Sequence, residues 1–194
     1  MTRWILMLAL CACHAAPRTT NTATTRDELA TRRAQIIEWL GEYAQAGVFP
    51  TDASGWPLSV FRDGHGVRCP MAEVIYRSGH GDLVDAVARE DNAVRLADVH
   101  DGPLHDWMLG SGLTRDEIAM VQGAMEIVVE QVTQETLLVA RGQVRGRIET
   151  AVRALRDNTA HSLEVAAARL PAHRMPVVAA VHGPVLHATR VGAN

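Results

Sequence analysis

The sequence predicts a mainly α-helical protein, a small helical domain that admits a short β-hairpin and is followed by a long helical arm. Three observations carry that reading. Thr25-Arg26-Asp27-Glu28 and Thr114-Arg115-Asp116-Glu117 both have the Thr-x-x-Glu form of a capping box, in which the hydroxyl takes an early helical N–H and the carboxylate reaches back to the cap. Behind each box, apolar side chains recur at helical spacing: Leu29, Ile36, Leu40 and Tyr43, then Ile118, Val121, Met125, Val128, Val132 and Val139. Gly, Pro and Asn bracket the short segments between.

Taken in order, residues 1–12 hold Arg3 and an apolar run from Trp4 to Ala12. Such a run is well short of the roughly 20 residues a membrane-spanning helix needs, and it fits the apolar region of a signal peptide. Residues 13–25, rich in Thr, Asn and Ala without apolar periodicity, read as a flexible tether. Residues 26–122 read as a compact, mostly helical domain. Its first helix should run from about 26 to 46 and stop at Gly47. A loop follows with Phe49 and Trp56 as lids on the core. Leu58 to Phe61 and Val67 to Cys69 flank the turn-forming Arg62-Asp63-Gly64-His65-Gly66 as a small hairpin.

Pro70 suits the first position of a helix ending near Gly79. Further short helices are expected at Asp82 to Arg89, Asn92 to Val99 and Pro103 to Leu109, with Leu83, Val84, Val87, Val94, Leu96, Leu104, Trp107 and Met108 supplying the shared core. From Thr114 the apolar stripe continues far, so residues 123–170 read as a long helix or a helical hairpin that bends or turns back near Gly142 and Gly146. A bend leaves a protruding arm, and a reversal makes a bundle. In residues 171–194, Pro171, Pro176 and Pro184 forbid a long helix and leave an irregular tail or a weak hairpin.

Charge narrows the function classes. All 19 basic residues are Arg, and the formal net charge of −3 argues against nucleic acid as a partner. Without Lys there is no ammonium for a phosphate-binding P-loop. The charge is unevenly spread: residues 82–135 carry 3 Arg against 12 acids, and residues 136–194 carry 8 Arg against 3. An acidic middle and a basic end would dock on each other, on a second copy, on another protein or on a charged surface, or remain two solvated faces.

Leu10-Cys11-Ala12-Cys13 resembles the lipobox of bacterial lipoprotein precursors, with Leu three positions before the modified cysteine and a small residue immediately before it. The resemblance implies cleavage before Cys13, acylation of its sulfur and a cell-envelope location facing the periplasm or exterior. Cleavage after Ala15 or Ala16 is the alternative. With Cys13 acylated, Cys69 has no partner for an internal disulfide. The body of the chain is similar to uncharacterised exported bacterial proteins in its G-x-x-C turn (Gly66 to Cys69), its S-G-x-x-x-L-V segment (Ser78 to Val84) and its G-L-T-x-x-E helix start (Gly112 to Glu117).

The chemistry-bearing candidates are few. His65, Cys69 and His80 are close in sequence, with His100 and His105 after them, and imidazole and thiolate are what zinc or copper would take. No C-x-x-C and no H-x-x-x-H spacing supports that. The expectation is therefore a lipid-anchored envelope protein held at the membrane through Cys13, acting as a non-enzymatic binding or structural module with a protein partner or with itself. No catalytic residue, metal or cofactor is assigned. The alternative is a small secreted enzyme or metal-binding protein that uses His65, Cys69 and His80.

Overall fold

Thr25 opens the first helix as its spacing from Glu28 requires: its hydroxyl accepts from the Glu28 N–H, and the Glu28 carboxylate accepts from the Thr25 N–H. The computed structural model describes residues 25–127 and 132–170. They form α1 (Arg26–Ala46), α2 (Pro70–Arg77), α3 (Gly81–Glu90), a 3₁₀ turn (Leu96–Asp98), α4 (Gly102–Gly110), α5 (Arg115–Gly123), α6 (Gln134–Asp157) and α7 (Thr159–Arg169). The protein is mainly α, as its sequence predicts. The expected signal peptide, Cys13 and the tail at 171–194 lie outside the described residues.

Helix α1 is the central post. Ile36, Ile37, Leu40, Tyr43 and Ala44 are buried in the main core with Val74 and Ile75 of α2, Ile118 and Val121 of α5, and Val144, Ile148 and Leu155 of α6. Gly47 ends α1 in the left-handed conformation at φ 63°. A Cβ on Gly47 would stand 2.4 Å from the Arg145 guanidinium, so α6 lays a cation against the end of α1 where unpaired carbonyls make the potential negative.

The expected hairpin does not form. Its two arms meet only at the isolated bridge Arg62–Arg68, and Thr51–Pro57 is a second isolated bridge. Side chains organise this region instead of a ladder. The Asp63 carboxylate accepts from the N–H groups of Thr51, His65 and Val67, and the Asn92 amide exchanges hydrogen bonds with the Arg62 backbone. Asn92 thereby takes the place a partner strand would fill. The helix expected at Asn92 to Val99 shrinks for the same reason to the 3₁₀ turn, whose Leu96 N–H is taken by the Gln122 side chain.

The long stripe after Thr114 is cut in a different place from the one its glycines suggest. Helix α5 ends at Gly123, and α6 begins behind a third capping box in which the Thr133 hydroxyl accepts from the Thr136 N–H. Glu135, which breaks the apolar spacing, falls in the first turn of α6, where a carboxylate suits the positive end of the helix. Helix α6 runs unbroken through Gly142 and Gly146. Burial of Ala140, Val144, Ile148, Ala151, Val152 and Leu155 outweighs the roughly 1 kcal/mol that each glycine costs against Ala. The long helix does not protrude: α6 lies along α1, the helix is interrupted at Asn158, and Leu163 and Ala166 of α7 pack with Leu29 farther along α1.

A charged pair sits inside this bundle. Arg33 of α1 is fully buried, and Glu117 of α5 is 6% exposed. Two guanidinium nitrogens donate to the two carboxylate oxygens at 2.7 and 2.8 Å. Arg33 also donates to the carbonyls of Gly112 and Leu155 and to the Thr159 hydroxyl. Glu117 also accepts from the Thr114 N–H and the Ser162 hydroxyl. Burial alone would raise the Glu117 pKa, but the Arg33, Thr114 and Ser162 hydrogen bonds overcome it and hold the carboxyl below its ordinary value.

Two outcomes follow from this packing. Glu117→Ala leaves a buried guanidinium unpaired and should cost about 3–5 kcal/mol in urea unfolding. Glu117 has a depressed folded pKa, so its contribution is complete at neutral pH and disappears as acid takes the pH below its ordinary 4.5 and through the folded value. Stability should decline over that acid range in the native protein and decline less in Glu117→Gln. Gly112 has φ 77°, and a Cβ there would lie 2.3 Å from the Leu29 carbonyl oxygen. Gly112→Ala should therefore destabilise by more than about 1 kcal/mol, and clearly more than Gly55→Ala, which has positive φ but open space around it.

Candidate functional site

Helix α1 presents a second face, off its buried stripe, that carries Thr31, Arg32, Gln35 and Trp39. Opposite stand the α2–α3 turn with Ser78 and His80, Leu83 of α3, and Pro103, Asp106 and Trp107 of α4. Between them lies an open groove of about 930 Å³. Its size is in the range of small-ligand and peptide clefts.

The groove is braced by hydrogen bonds that hold its walls. Trp107 is 9% exposed, and its indole N–H donates to the Ser78 hydroxyl at 2.9 Å. The Ser78 hydroxyl donates its hydrogen bond to the Ile75 carbonyl at 2.7 Å, so the 3.2 Å approach of His80 Nδ1 to the same oxygen is a hydrogen bond when Nδ1 carries the hydrogen. Gly79 follows in the turn at φ 89°, a conformation glycine adopts without strain. On the other wall, Arg32 donates to the Gly110 carbonyl at 3.0 Å and ties α1 to the end of α4. Arg77 is held by Glu42 and by Glu73, and the Glu42 hydrogen bond, followed by that of Glu73, pushes its pKa up against the opposing effect of burial. The result is an apolar trough with indole walls and a rim of charges, two of them Arg side chains already committed to the protein.

The candidates singled out in the sequence are not gathered into one site. His65 is exposed in the turn organised by Asp63. Cys69 is 2% exposed and caps α2, its sulfur accepting from the Ala72 N–H at 3.4 Å. Burial pushes its thiol up to about 11, which keeps it protonated and removes it as a nucleophile or soft ligand at neutral pH. Of the three, only His80 reaches the groove. His100 lies 2.8 Å from an Arg115 guanidinium nitrogen. Among the described residues, no group of three or more His, Cys, Asp or Glu is placed to hold a metal ion.

The three motif segments singled out in the sequence have structural work to do. Gly66 to Cys69 makes a turn and a helix cap, Ser78 to Val84 braces Trp107 and supplies the core residue Val84, and Gly112 to Glu117 brings the backbone against α1 and holds Arg33. Sequence reasoning placed Trp107 in the core and passed over Trp39. The available signal was that Trp39 stands off the Leu29, Ile36, Leu40, Tyr43 stripe, which leaves a large apolar side chain only partly buried at the edge of the core. No protein-family model, curated protein or solved structure matches the chain.

Removing the Ser78 hydroxyl strands the Trp107 N–H. Ser78→Ala should lose about 1–3 kcal/mol in chemical unfolding and shift the tryptophan emission of the folded protein. Cys69 should react with a thiol-specific dye at the rate of unfolding in the native protein and rapidly in urea; fast labelling of the native thiol would contradict its burial.

Proposed function

We propose that this protein is a lipid-anchored component of the cell envelope whose helical body is a non-enzymatic binding module. The anchor rests on the sequence: Arg3, the apolar run from Trp4 to Ala12, and Cys13 at the end of Leu10-Cys11-Ala12-Cys13. Among the described residues no helix is long and apolar enough to cross a membrane, so an acyl chain is the attachment this reading needs.

The observation that carries the binding half is the groove between α1 and α4. Catalysis asks for titratable groups that converge on a reacting atom with their protons free to move. Here Arg32 and Arg77 hold neighbouring elements in place, Ser78 is spent on Trp107 and Ile75, and the Cys69 thiol is shut in the core. An apolar trough with fixed indole walls suits recognition, because rigid aromatic surfaces bury large areas at low entropic cost.

Each half has its own test. In cells fed an alkyne fatty acid, the native protein should take up label and fractionate with membranes, and Cys13→Ser should do neither; label persisting in Cys13→Ser overturns the anchor. A photocrosslinking amino acid at Gln35 in the groove should give a discrete heavier adduct, while the same group at exposed Glu90 gives none. Equal patterns at both positions would remove the groove as the binding site.

A further inference from the structure

The solvent-exposed side of α6 combines charge and apolar exposure in a way the groove does not explain. Relative to Leu138, Arg141, Arg145 and Arg156 follow at 3, 7 and 18 residues, spacings that return to one side of an α-helix, and Arg153 stands a little to their flank. All four arginines are exposed. Between Leu138 and Arg156 the helix carries five Arg and one acid, Glu149, which lies among them; Glu135 and Asp157 stand at the two ends. Among the described residues, no salt bridge joins Arg141, Arg145, Arg153 or Arg156 to a carboxylate. Near the N-terminal end of the same helix Leu138 at 69% and Val139 at 52% exposed face solvent, and Val132, just before its cap, is 51% exposed.

The acidic elements do not meet this surface. Helix α3 packs on α2, whereas α6 packs on α1 and α5, so the helix carrying Asp82, Asp85 and Glu90 shares no substantial interface with α6. Glu38 and Glu42 of α1 line a hollow with Arg156, but Glu42 is paired with Arg77 and neither forms a salt bridge with an α6 arginine.

We propose that the exposed face of α6 lies on an anionic lipid surface, with Arg141, Arg153 and Arg156 at the headgroups and Leu138 and Val139 entering the boundary with the acyl chains. A row of guanidinium groups flanked by exposed aliphatic side chains on one helix is the pattern of an interfacial helix, in which electrostatic attraction and a small buried apolar area add. Arg suits the task because it bonds phosphate with two parallel N–H donors. A helix of 24 residues, about 36 Å long, gives a contact line that fixes how the body is turned. Anionic lipid is favoured over a second copy because it also accounts for the aliphatic cluster, to which the acidic α3 surface offers nothing complementary. The inference rests on the envelope reading for the presence of a bilayer, but not on acylation of Cys13.

The test uses the full chain carrying Cys13→Ser, so that no acyl group contributes. Its sedimentation is compared with vesicles of phosphatidylcholine alone and with a one-to-one mixture of phosphatidylcholine and phosphatidylglycerol. Arg3, Arg18, Arg174 and Arg190 also favour the anionic vesicles, so the share of α6 is read from its variants against this parent chain. We expect stronger binding to the anionic vesicles, abolished at high salt. Arg141→Gln/Arg153→Gln/Arg156→Gln should weaken anionic binding by about a hundredfold at low salt, at about fivefold per arginine. Leu138→Ser/Val139→Ser should weaken it separately, while circular dichroism reports an unchanged helix content for both variants. Equal binding to the two vesicle types, or unchanged binding of either variant, overturns the proposal. So does a native protein whose sedimenting mass falls to that of a monomer in the triple arginine variant without loss on vesicles, which would give the face to a second copy. Fatty-acid labelling of the native protein is read separately, and its failure alone would strike the anchor and not α6.

Discussion

A single buried charge pair gathers this fold. Arg33 comes from α1, its carboxylate partner from α5, its carbonyl acceptors from Gly112 and Leu155, and its last partner is the Thr159 hydroxyl at the start of α7. An ion pair removed from water is a heavy burden unless every donor and acceptor finds a partner, and here they do. The energetic value is therefore less in attraction than in exclusivity. Few other arrangements of these helices would satisfy a guanidinium and a carboxylate at the same buried place, so the pair selects one packing of a bundle whose other contacts are largely interchangeable aliphatic surface. Gly112 belongs to the same device, since only a residue without Cβ lets that carbonyl approach and leaves room for the Leu29 backbone.

Much of the architecture was legible in residue order, and the failures have identifiable causes. The Thr25 and Thr114 boxes start helices where their spacing says, because a cap is a local event that needs no tertiary partner. The third box escaped notice because Thr136 stands where Glu or Gln is usual, and the apolar periodicity runs across the gap as though one helix continued. Gly142 and Gly146 misled for the opposite reason: intrinsic propensity is a weak force beside the packing of a whole helix face on α1. Asn92 could not be foreseen as a clamp for Arg62, since a side chain that imitates a strand across 30 residues leaves no periodic trace.

The candidate sites divide in the same way. Nearness in sequence suggested His65, Cys69 and His80 as a set, yet one is in a solvent-facing turn, one is sealed in the core and one is at a groove rim. The groove itself is assembled from segments more than sixty residues apart, Gln35 and Trp39 on one side and Asp106 and Trp107 on the other, and no local pattern joins them. Arg33, like Trp39, was a plain signal overlooked. It interrupts the row Leu29, Ile36, Leu40 at a buried position, and a charge there demands a counter-charge elsewhere in the chain.

That demand has a temporal side. The groups that satisfy Arg33 are reached in the order Gly112, Glu117, Leu155 and Thr159, so the guanidinium has its complete shell only when nearly all of the folded body has been synthesised. An unfinished chain that buried α1 early would trap a cation in apolar surroundings, which disfavours premature collapse around that helix. The bundle is thus built to close late and all at once.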